Sequence, residues 1–198
     1  MVHADEVPPD ELPVITKQVA TRLRRLAGKK VVPSNARITL GDSFQVWTLP
    51  AEKIASISPR SSPDLGKLGN WNNRWYHIIK VNRRAVAFFR STTKRAEYSL
   101  FYQPKVARIE KFLKDQKKAG KNLKIRLLRV ADYHMVALWT IDEDSQANQL
   151  LVIDAPANFN LGGQILTAME FLKALRSQQP ITGIRSGSEP SLHSKRSR

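Results

Sequence analysis

Two apolar runs, WYHIIKV at 75–81 and AVAFFRS at 85–91, are separated by only Asn82, Arg83 and Arg84. A link that short closes a hairpin and cannot carry the crossover that a parallel pair requires. The same constraint applies further on. The run 123–130 precedes 135–141 by four residues, and 135–141 leads through the acidic turn DEDSQAN to a strand at 149–153. A further strand is expected at 98–102. Residues rich in β-branched and aromatic side chains, joined this tightly, predict antiparallel sheet.

Each group of strands is followed by a helical pattern. Pro104 suits a first helical position, the helix runs to about Ala119, and Gly120 stands where a helix C-terminus favours glycine. Val106, Ile109, Phe112 and Leu113 form its apolar face, and Lys105, Arg108, Lys111, Lys114, Lys117 and Lys118 occupy the rest. A final helix is expected from about Gly163 to Arg176, with Ile165, Met169, Leu172 and Leu175 inward. Residues 71–120 and 121–177 therefore both read strand, strand, strand, helix. Val86-Ala87-Phe88-Phe89 aligns with Val136-Ala137-Leu138-Trp139, and IEKFLK at 109–114 with MEFLK at 169–173. The expected fold class is α+β: antiparallel sheet packed by helices, with a pseudo-repeat of these two units.

Length and composition place one domain at about 14–177 in a chain of 198 residues. Residues 1–13 read as a disordered acidic leader and 178–198 as a disordered basic tail. A helix is expected from Pro13 to Ala27, with Val19 and Leu23 in its apolar stripe. Residues 36–49 predict two short strand segments around a turn or bulge at Gly41-Asp42. The Ser-, Pro- and Gly-rich stretch 50–70 predicts a long loop.

Charge narrows the functional classes. Residues 71–129 hold seventeen Lys and Arg against three acids, so this stretch carries +14 of a total +16. It also holds nine of the fifteen aromatic residues. A positive field concentrated in one stretch, with rings set into it, predicts an anionic partner. There is no cysteine, which excludes disulfides, a thiol nucleophile and a thiolate zinc site. No apolar run reaches the ~18–20 residues of a membrane span. The acidic, Pro-rich start is unlike a secretory peptide, so an intracellular, cytoplasmic location is expected.

No catalytic motif stands out, and an enzyme acting on a small-molecule substrate is not expected. His3, His77, His134 and His193 lack metal-ligand spacing, so neither metal nor cofactor is expected. Asp132, His134 and Asp154 offer a base with acids near strand ends, a pattern that turn and capping residues also produce. The expected function is a non-catalytic nucleic-acid-binding module. Rings would stack on bases while cations follow phosphates, favouring single-stranded or structured RNA or DNA. The candidate residues are Trp75, Tyr76, Lys80, Arg83, Arg84, Arg90, Lys94 and Arg95. The competing reading of each ring is ordinary core. Repeated strand–strand–strand–helix organisation resembles the PUR and Whirly single-stranded nucleic-acid binders, in topology only. The alternative function is a small basic adaptor or subunit docking on an acidic protein or larger assembly.

Overall fold

Every short link closes an antiparallel pair, as its length demands. The structure, a computed structural model, describes residues 2–4, 17–21, 23, 25, 33, 35–57, 64–92, 96–97 and 103–178. Its strands are β1 (Val2–Ala4), β2 (Ile38–Thr48), β3 (Asn70–Val81), β4 (Arg84–Thr92), β5 (Ala96–Glu97), β6 (Leu123–Val130), β7 (Met135–Asp142), β8 (Asn148–Asp154) and β9 (Ile165–Thr167). Helical residues 17–21, 23 and 25 form α1. They are followed by α2 (Ala51–Ser56), α3 (Leu65–Leu68), α4 (Gln103–Lys118) and α5 (Ala168–Arg176). The fold class is α+β. No helix among the described residues is long and apolar enough to cross a membrane.

One sheet runs β5-β4-β3-β2-β6-β7-β8-β9, with β1 also beside β6. Pairs within each half are antiparallel, but β2–β6 and β1–β6 are parallel, so the sheet is mixed. The chain leaves β5, passes through α4 and returns beside β2; such a helical crossover is what a parallel pairing needs. Both halves now read four strands and a closing helix, starting at Ile38 and at Leu123, with α2 and α3 inserted between the first two strands of the first half. On this order β4 corresponds to β8, not β7, so the match of 86–89 with 136–139 joins strands at different places in the topology.

Four expectations are corrected. Residues 2–4 of the expected disordered leader are a strand, registered from Val2↔Leu123 to Ala4↔Ile125. Residues 36–49 give one strand rather than two. Its bulge lies between Leu40↔Ile79 and Ser43↔His77, around Gly41-Asp42. The extra residue reverses the pleat, which is why Leu40 packs with α1 and Phe44 with α4. A Cβ at Gly41 would stand 2.8 Å from Lys80 Cε and 3.3 Å from Ile78, so glycine lets the Lys80 side chain lie close over the bulge. The stretch 50–70 is not a continuous loop, because α2 and α3 form within it and bury Ile54 and Leu65 fully. The final helix begins at Ala168, not Gly163. Thr167 and Glu170 make a reciprocal capping box, residues 165–167 are a strand, and Ile165 points out at 54% exposure. The expected strand at 98–102, helical residues 13–16, 26 and 27, and the tail from 179 lie outside the described residues.

Three apolar clusters divide the sheet. On one face Val106, Ile109, Phe112 and Leu113 of α4 pack on Phe44, Tyr76, Phe88, Leu127, Leu138 and Leu151, drawn from both halves. On the opposite face α1 covers Trp75, Ile79 and Phe89. There α2, α3 and α5 cover Leu128, Met135, Trp139 and Val152. Strand alternation supplies both faces at once: Leu123, Ile125 and Leu127 point to α4, Leu128 and Val130 away from it.

Ile109 is fully buried beneath α4. Ile109→Ala should destabilise the chain by roughly 2–5 kcal/mol. Because α4 packs on both halves, urea denaturation should show one cooperative transition moved to lower urea, rather than two that separate.

Candidate functional site

The most strongly charged element is α4, and its packing decides where that charge points. With one stripe committed to the sheet, Arg108, Lys111, Lys114, Lys117 and Lys118 are exposed, and Lys121 just beyond the helix is exposed too. Lys117 and Lys118 fall in the last turn, where cations favour the helix dipole. Lys111 Nζ lies 2.9 Å from Asp115 Oδ2, and this hydrogen bond holds the Asp115 carboxyl below its usual range.

Ion pairs tie α4 down along its length. Lys105 Nζ meets Asp154 Oδ1 at the end of β8 at 2.6 Å. Glu110 meets Lys80 of β3 at 3.6 Å, and Lys117 meets Asp42 at the β2 bulge at 3.6 Å. Arg108 lies against Gly163, whose φ of +89° and missing Cβ admit the guanidinium. Exposed pairs of this kind contribute about 0–1 kcal/mol each. They orient the helix more than they stabilise it.

The Lys80–Glu110 pair also places the end of the β3–β4 hairpin beside α4. Asn82 and Arg83 have φ of 49° and 68°, the left-handed pair that a two-residue hairpin turn demands. Asn82 holds Arg37 on both sides: its N–H donates to the Arg37 carbonyl at 2.9 Å, and its Oδ1 accepts the Arg37 N–H at 3.0 Å. Arg37, Arg83 and Arg84 are all exposed at this end.

The candidate residues divide accordingly. Arg83 and Arg84 stand in solvent, and Lys80 is half-buried against Glu110. Trp75 is 3% exposed in the α1 core, and Tyr76 is 5% exposed in the α4 core. Tyr76 stacks on Phe88 at 5.1 Å between ring centroids. Neither ring offers a face to a ligand, which corrects their expected stacking role: rings on a sheet covered on both faces are core. Arg90 is also buried, at 5%. Lys94 and Arg95 lie outside the described residues.

Among the described residues, the aromatic ring most open to solvent is Trp71, at 47% exposure. It faces Trp47 across β2–β3. Arg126 of β6 lies over the Trp47 ring at 4.1 Å and over Trp139 at 5.2 Å, and the two indoles meet edge to face. Sequence reasoning passed over Trp71, although its neighbours Asn70, Asn72, Asn73 and Arg74 already mark it as the one tryptophan set among polar residues.

The acid–base candidates have structural partners. Asp132 Oδ2 accepts the Ala51 N–H at the start of α2, and Asp154 pairs with Lys105. His134 is exposed in a left-handed turn position. Among the described residues no group of three or more His, Asp or Glu could hold a metal ion. His77 is fully buried between Ser43 Oγ (2.8 Å from Nδ1) and Ser91 Oγ (2.6 Å from Nε2). Both ring nitrogens are satisfied by hydroxyls, which suit the neutral imidazole.

Comparison with family models, curated proteins and solved structures returned no match.

Burial pushes the His77 imidazole from 6.5 down to about 4. Above pH 6.5 both folded and unfolded states are neutral and the shift is without effect. Below it the unfolded chain takes up a proton that the folded chain refuses, so stability falls from pH 6.5 to about pH 4, by about 3 kcal/mol in all. Urea midpoints of the wild type should therefore drop more steeply between pH 7 and pH 4 than those of His77→Asn; parallel profiles would contradict the assignment.

Proposed function

We propose that this chain is a non-catalytic nucleic-acid-binding module that grips the phosphate backbone with the outer face of α4 and the β3–β4 hairpin end. The observation that carries the reading is the set of exposed cations at 108, 111, 114, 117 and 118 on one helix, with 121 just beyond it. The apolar face of that element is already used by the sheet. A basic amphipathic helix lying on an anionic membrane would need that face free.

Arg83 supports the same reading. Its backbone lies at φ 68°, where glycine is the unstrained choice and another residue costs about 1 kcal/mol or more. A cation held at a strained turn, beside Arg37 and Arg84, suits a contact rather than the fold. Phosphate contacts tolerate many sequences and weaken steeply with salt. An acidic protein partner would use the same charge.

Fluorescence anisotropy with nuclease-treated protein and labelled single-stranded and duplex oligonucleotides tests this. Replacing Arg108, Lys114 and Lys118 together by Gln should flatten the plot of log K against log salt by about 2 for single strands, near 0.7 per lost contact. Arg83→Gly should raise stability by up to ~1 kcal/mol while weakening binding. No salt-sensitive binding by wild type near physiological salt would overturn the reading and turn attention to an acidic protein.

A further inference from the structure

The phosphate contacts proposed above say nothing about bases, and the rings first expected to meet them are buried. Trp71 is different. Of the four tryptophans, Trp75 and Trp139 are 3% and 1% exposed and Trp47 is half-buried, while Trp71 is 47% exposed. It stands at the end of a lateral row across four strands: Trp71 on β3, Trp47 on β2, Arg126 on β6 and Trp139 on β7. Arg126 lies over both inner indoles, and α3 closes over the inner part of the row. Gly69 brings its backbone to the Trp47 ring (3.6 Å from its Cβ position), and Gly66 does so at Trp139 (3.9 Å). The inner rings are therefore held rigidly, and the outermost is left with a face in water.

The backbone at this point is shaped to present it. Between Gln45↔Trp75 and Trp47↔Trp71, β3 carries three residues against one on β2, and Asn73 adopts φ 55°. This bulge keeps Trp71 and Trp75 on the same side of the sheet while releasing Trp71 from the α1 core. Asn73 is exposed beside it in the chain and Lys67 is exposed on the preceding α3, while strand alternation turns Asn70 and Arg74 to the other face. An indole with a face in water, near the exposed Lys67 of α3, suits a planar base whose phosphate lies nearby.

We infer that Trp71 is a stacking platform for an unpaired nucleobase, so that the module takes single-stranded rather than duplex nucleic acid. This rests on the nucleic-acid reading above and adds a base contact to it. Duplex DNA keeps its bases stacked on one another and offers no free base face, whereas a single strand does.

The test uses the full chain, a labelled oligothymidylate and an abasic chain of the same length. Trp71→Ala should weaken oligothymidylate binding about tenfold or more and leave the salt slope and the abasic affinity unchanged, with Trp71→Phe recovering much of the loss. Saturating oligothymidylate should also shield the quenchable tryptophan fluorescence from acrylamide, while the abasic chain should not. Equal affinities of wild type and Trp71→Ala for oligothymidylate, or equal losses on both ligands, would overturn the stacking role while leaving phosphate binding intact. Wild type that binds neither ligand would overturn the underlying reading itself.

Discussion

Burial of Val106, Ile109, Phe112 and Leu113 under the sheet is the contact on which the rest depends. These four side chains of α4 pack on strands from both halves and make one core out of two four-strand units. The crossover through α4 is also what sets β6 parallel to β2. Without a helix that covers both halves, each would keep an uncovered apolar face.

The same burial decides the electrostatics. A helix with one face committed to apolar packing must turn its remaining positions outward, so a lysine-rich sequence becomes a cationic ridge. The ion pairs to Asp42, Lys80 and Asp154 come from β2, β3 and β8, and they add orientation more than stability. Charge and rings, adjacent along the chain, part company in space. Trp75 and Tyr76 go to opposite cores because strand neighbours point to opposite faces and both faces are covered.

Polar groups inside the sheet follow their own rule. His77 is tolerated in a dry position because Ser43 and Ser91 satisfy both nitrogens, and burial keeps it neutral. Arg126 is held partly buried over two indoles, where its planar guanidinium can stack as an ammonium could not. Trp71, at the rim of that arrangement, is the place where the interior row meets solvent.

By itself the sequence determined what depends on neighbours close along the chain. The Asn82-Arg83 hairpin, the α4 stripe, its Gly120 stop at φ 67° and the Gly41-Asp42 bulge were all legible there, and so was the α+β class, because spacing and turn chemistry act locally. The start of α5 was legible as well, in Thr167-x-x-Glu170, though glycines upstream pointed elsewhere. Only the tertiary structure decided which apolar residues are core and which cations are outside. Whether a ring such as Trp71 or Trp75 is exposed depends on which helix covers that patch of sheet, and α1, α3 and α4 arrive from distant parts of the chain. Local pattern carries no record of that cover, so it could place charge and aromatics in one stretch but could not place them on one surface.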